Sequence, residues 1–148
     1  MKSIFDKQKR DELINRIDSL NENSKAAWGK MNIYQMLKHC TLWEEWILSE
    51  KKSKQTLMGR LFGKMVLKNI LKDEKPLRRN TPTIPEFKLK ETDGDVASEK
   101  AKWTSLLEEY ANFSNQNFVH PFFGKMTKEQ IGYLAYKHSD HHLRQFNS

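Results

Sequence analysis

The sequence is short of the residues that build cross-linked and turn-rich folds. Among 148 residues there is one cysteine, Cys40, which excludes an intrachain disulfide framework. Six glycines and four prolines leave little turn material for a β architecture. No apolar run approaches the roughly 20 residues needed to span a bilayer. The N-terminal stretch MKSIFDKQKRDELI mixes both charge signs and lacks the apolar run and cleavage site of a signal peptide. Together these absences point to a reduced, cytoplasmic setting and to a chain without a transmembrane segment.

What is present suits one mostly helical domain over residues 1–148, long enough to bury a core. Hydrophobic residues make up 37% and charged residues 30%. The net charge of +7, from 26 basic and 19 acidic residues, permits an anionic partner without requiring one. The lysines are scattered as well as clustered, as on solvated helix faces, and no nucleic-acid partner is expected.

Apolar spacing predicts about five helices. The first covers Phe5 to Leu20, with Leu13, Ile14, Ile17 and Leu20 on one stripe, and NENSK breaks it. The second starts at Asn32, which can form a capping box with Gln35; Ile33, Met36, Leu37, Cys40, Trp43, Ile47 and Leu48 form its apolar face. The third runs from about Thr56 to Leu71, with Leu57, Leu61, Met65 and Ile70 inward and Arg60, Lys64, Lys68 and Lys72 outward. DEKPLRRNTPTIPEFKLKETDGD then reads as a long extended crossover holding all but one of the prolines. Ser98 can cap a fourth helix through about Phe113, with Trp103, Leu106, Leu107 and Tyr110 inward, and Thr127 with Gln130 boxes the start of the last. The segments HPFFG and NTPTIPEF are expected to close over one end of the bundle.

The last helix carries AYKHSDHHLRQF, three of the five histidines within five residues. On a helix His138 and His142 sit only about 40° apart, so both imidazoles can reach one ion, whereas His141 lies about 60° from His138 on the other side. His138 with His142 is therefore the better chelating pair, and His138 with His141 the runner-up. Zinc-like ions usually take three or four protein ligands. His39, Cys40 and His120 are the upstream candidates. His39 is close to the core-facing stripe of its helix, Cys40 should point about 100° away from it, and the reach of His120, before Pro121, is open.

The order His39, then His138-x-x-His141-His142-x-x-Gln145, resembles the DinB/YfiT-like superfamily of metal-binding bundle proteins, and within it a branch of unknown function. The segments that carry the resemblance are WGKMNIYQMLKHC, LKDEKPLRRNTPTIPEF and HPFFGKMTKEQIGYLAYKHSDHHLRQF. The resemblance implies an all-α, up-down four-helix bundle with a long proline-containing crossover and room for a short extra helix. It implies His39, His138 and His142 as metal ligands; no acidic fourth ligand stands at a matching position. Homodimers accompany bundles of this type.

Such a site implies a divalent-metal-dependent enzyme in which zinc or nickel activates a thiol or water for S-transfer to, or hydrolysis of, a small-molecule substrate. A low-molecular-weight thiol is the implied second cofactor. Asp140, Glu44 and Gln145 are candidates to hydrogen-bond a ligand's second ring nitrogen. His141 is a candidate proton shuttle, and Trp43, one turn beyond His39, a candidate pocket wall. The alternative is a non-catalytic bundle, a binding or stress-response module with a vestigial site. A second rival rests on KKSKQTLMGRLFGKMVLKNILK, which is basic and amphipathic like a membrane-surface or nucleic-acid helix. Against it, that apolar side is what a bundle helix would need for the core.

Overall fold

The computed structural model describes residues 1–49, 53–81, 87–115 and 117–148. It contains five α-helices: α1 Lys7–Asp18, α2 Ile33–Leu48, α3 Leu57–Ile70, α4 Val96–Glu109 and α5 Lys128–Gln145. A two-residue hairpin, β1 Val119–His120 and β2 Gly124–Lys125, is the only sheet among the described residues.

Local chemistry sets the helix ends. Asp6 opens α1 by accepting the Gln8 and Lys9 amides. Both capping boxes form: Asn32 with Gln35 at α2, and Thr127 with Gln130 at α5. At α4 the cap is Asp95 rather than Ser98. The Asp95 carboxylate accepts the Ser98 amide at 2.9 Å, so the helix begins three residues earlier than the serine suggested.

Four helices form the bundle. α4 packs on α1 and α2, and α5 packs on the same two, so the contacts close a ring. Inside lie Leu13, Ile17, Met36, Leu37, Cys40, Trp103, Leu107, Ile131 and Leu143, all buried. Ion pairs tie the ring at its seams: Arg16 to Asp140 at 2.7 Å between α1 and α5, and Lys38 to Glu99 at 3.0 Å between α2 and α4.

The third helix stands outside this ring and packs on the hairpin. Its buried positions are Gly59, Gly63 and Leu67, one per turn. A Cβ at Gly63 or at Gly59 would collide with the Phe122 carbonyl oxygen. The Gln55 side chain and the Thr56 amide fasten its start to the Phe122 and Pro121 carbonyls, at 3.1 and 2.9 Å. The expected inward face is therefore reversed. Leu57, Leu61 and Met65 are exposed, and Ile70 is only half-buried, because the backbone-to-backbone approach through the glycines dictates which side turns in.

The crossover between α3 and α4 has no helix or strand over residues 72–81 and 88–95, as an extended linker should. Phe87 is buried in the core, and the Glu91 and Thr92 carbonyls accept bonds from Gln35 and Asn32. Most of NTPTIPEF, residues 82–86, lies outside the described residues. HPFFG forms the turn of the hairpin and seats α3.

Candidate metal centre

His39 comes from the middle of α2, and His138 and His142 from consecutive turns of α5. The contact between these two helices brings the three side chains together. One nitrogen from each ring lies within 4.8 Å of the others. His39 Nε2 and His138 Nε2 are 3.2 Å apart. Two ligand nitrogens on a tetrahedral zinc-like ion stand about 3.3 Å apart, given bonds of about 2.0–2.1 Å. The His39–His138 pair has the spacing of two ligands on one ion, and His142 is close enough for the three to hold it together.

The second nitrogens orient the rings. His39 Nδ1 lies 3.3 Å from the Phe87 carbonyl oxygen, so it carries the proton and turns Nε2 inward. His142 Nδ1 lies 3.0 Å from Gln145 Oε1, with the same consequence. Gln145 is held in turn, its amide donating to the Trp28 carbonyl at 2.9 Å. His138 Nδ1 has no partner among the described residues. That ring is fixed instead by Trp43, stacked on it at 4.0 Å with planes 16° apart.

Burial and mutual proximity keep the rings neutral. Loss of hydration lowers the pKa of His39, pushes His138 well below its usual value, and takes His142 down to about 3. Charge on neighbouring histidines acts in the same direction. Neutral imidazole is the form that binds metal.

The remaining candidates fall elsewhere. Cys40 points into the core beside Met36, and burial raises its thiol pKa far above the usual range. His120 is buried in β1, where its Nδ1 accepts the Phe122 and Phe123 amides at 3.1 and 3.2 Å. It holds the hairpin turn, and desolvation lowers its pKa to about 4. Of the three second-nitrogen candidates, only Gln145 meets a histidine. Asp140 is taken by Arg16 and Arg144, at 2.7 Å each. Glu44 sits in the core, accepting from Tyr110 at 2.5 Å and Ser139 at 3.1 Å.

His141 turns away from the triad. Its ring lies edge-on to Trp28, 5.9 Å between centroids, and 5.1 Å from the His142 ring. It lines a cavity of about 450 Å³ with Trp28, Leu77, Arg79 and Arg144. The Arg79 guanidinium sits 4.1 Å over the Trp28 ring. Sequence spacing missed Phe87 and Arg79, because a backbone carbonyl and a crossover side chain carry no periodic signal.

Fold and site thus define a helical bundle protein with a largely buried cluster of three histidines able to hold a metal ion. More particularly, residues 3–148 match the family model described as "Protein of unknown function (DUF1569)", and the chain belongs to that family. No curated protein and no solved structure gives a match.

Proposed function

We propose that this chain is a metal-dependent bundle protein of the DinB/YfiT-like type, in which His39, His138 and His142 hold a divalent ion beside a small-molecule site. The observation that carries this reading is the 3.2 Å approach of two Nε2 atoms from different helices, with oxygen acceptors holding the far nitrogens of His39 and His142. Without an ion the same approach is a hydrogen bond, donated by His138 Nε2 to the unprotonated His39 Nε2, and a bound metal would take the place of that proton.

Three imidazoles leave coordination positions for an exchangeable ligand, the pattern of catalytic rather than structural sites. A bound zinc or nickel ion would supply charge that lowers the pKa of a water or thiol toward neutrality. Phe87 and Gln145 fix two rings, Trp43 shields the third, and His141 stands between His142 and the cavity where it can pass a proton. The Arg79 guanidinium gives that cavity a cationic wall suited to a small molecule with an acidic group.

The reaction this arrangement supports best is S-transfer from a low-molecular-weight thiol. The thiol gives up its proton, sulfur bonds to an electrophilic carbon of the second substrate, and the leaving group departs with its electron pair. Hydrolysis follows the same course with water in place of the thiol. A non-catalytic bundle with a vestigial site is the competing reading.

The test is elemental analysis of untagged protein beside His142→Ala. About one zinc or nickel ion per chain, lost in the variant, is the expected result. No metal in the wild type, even after incubation with both ions, overturns the proposal and leaves the non-catalytic bundle.

A further inference from the structure

The most unusual surface of the molecule is remote in kind from the histidine cluster. Six large hydrophobic side chains are exposed among the described residues, and five of them, Leu57, Met58, Leu61, Phe62 and Met65, belong to α3. Leu57, Leu61 and Met65 are each exposed by 65% or more. On the helix these five span an arc of about 140°. A contiguous apolar patch of this kind marks a binding surface rather than ordinary scatter.

The charges within α3 all have one sign, and Asp73 and Glu74 follow only after Lys72. No aspartate or glutamate occurs from residue 55 to residue 72. Lys68 and Lys72 continue the exposed face toward its C-terminal end, and Arg60 and Lys64 border it on one side; all four are exposed. None of the four has an ion-pair partner among the described residues, although the Lys64 ammonium donates to the Lys125 carbonyl of the hairpin. The helix cannot roll to hide the patch, since Gly59 and Gly63 lock its other side against the Phe122 backbone.

We infer that α3 is a docking face for an anionic membrane surface, with Leu57, Leu61, Phe62 and Met65 entering the headgroup–acyl boundary and Arg60, Lys68 and Lys72 reaching lipid phosphates. Charge complementarity selects this occupant. A second copy laid antiparallel would set Lys68 and Lys72 beside the partner's apolar end, and each chain carries a net charge of +7. Nucleic acid would satisfy the lysines and leave five apolar side chains in water. A negatively charged bilayer satisfies both, because lysine stems lie along apolar surface while their ammonium groups reach the phosphates.

The experiment is co-sedimentation of the full chain with vesicles of phosphatidylglycerol and phosphatidylcholine in equal parts, beside vesicles of phosphatidylcholine alone. Binding to the anionic vesicles, weakened by added salt and much weaker on the neutral ones, is expected. Leu61→Gln/Met65→Gln changes only exposed side chains and abolishes it. Lys68→Gln/Lys72→Gln lowers the partition coefficient about 25-fold, at about fivefold for each lysine. Absence of binding to anionic vesicles overturns the inference. So does a dimer, seen by light scattering, that Leu61→Gln/Met65→Gln dissolves without any vesicle binding, which would assign the face to a second copy. DNA binding that ignores the Leu61→Gln/Met65→Gln change, without vesicle binding, overturns it as well.

Discussion

Gln145 Oε1 stands 3.0 Å from His142 Nδ1, and the same side chain donates to the Trp28 carbonyl at 2.9 Å. One amide therefore reads both the tautomer of a candidate ligand and the position of the segment before α2. Gln145→Ala would leave the His142 ring free to turn and the Trp28 carbonyl unpaired. Loss of such a partner typically lowers metal affinity by about tenfold to a hundredfold. Zinc affinity measured by competition with a chromophoric chelator should fall within that range, while helicity by circular dichroism stays unchanged. Wild-type affinity in the variant would remove Gln145 from any positioning role.

The orientation of α3 makes a prediction that separates its two sides. Leu61 and Gly63 are two residues apart and so about 200° apart around the helix. Leu61 is 65% exposed, while a Cβ at Gly63 would press into the Phe122 carbonyl. Leu61→Ala should change the unfolding free energy by no more than about 0.5 kcal/mol. Gly63→Ala, which improves helix propensity, should nonetheless destabilise by about 1–3 kcal/mol as helix and hairpin are forced apart. Urea denaturation of both variants decides the matter. The reverse order of costs would put the apolar side of α3 in the core after all.

That reversal marks the boundary of what the sequence made legible. The capping boxes at Asn32 and Thr127 need only side chains three residues apart, and both formed. The stripes of α2 and α4 were also plain, because large residues filled their inward positions. In α3 the rule that large apolar residues turn inward failed, since the helix approaches a backbone, where only glycine fits. His138 and His142 followed from helical spacing alone. Spacing left His39 beside Cys40 and His120, and only the family resemblance named it; the contact of α2 with α5 is what sets it beside the other two rings. Glu44 and Asp140 were legible as polar residues near the site, yet their partners, Tyr110 and Arg16, come from other helices that spacing cannot rank.

Glu44 yields the last prediction, on pH. Burial raises its pKa to about 7, although hydrogen bonds from Tyr110 and Ser139 pull the other way. Cys40 and Tyr110 are the titratable groups that sense its charge, and burial pushes both of them upward too. An unfolded chain ionises this carboxyl near the ordinary value of 4.5. Between about pH 4.5 and 7 the folded chain keeps a proton that the unfolded chain has released. The native state binds more protons there, so stability falls as pH rises through this window and levels off above it. The shift corresponds to about 3 kcal/mol, lost in full above the folded pKa. Glu44→Gln keeps the shape and removes the ionisation. Denaturant unfolding with a chelator present, so that metal binding does not contribute, should show wild type losing ground to the variant from pH 5 to pH 8. Parallel stability curves for the two proteins would mean that the Glu44 carboxyl is accommodated as an anion, and that the hydrogen bonds of Tyr110 and Ser139 outweigh its burial.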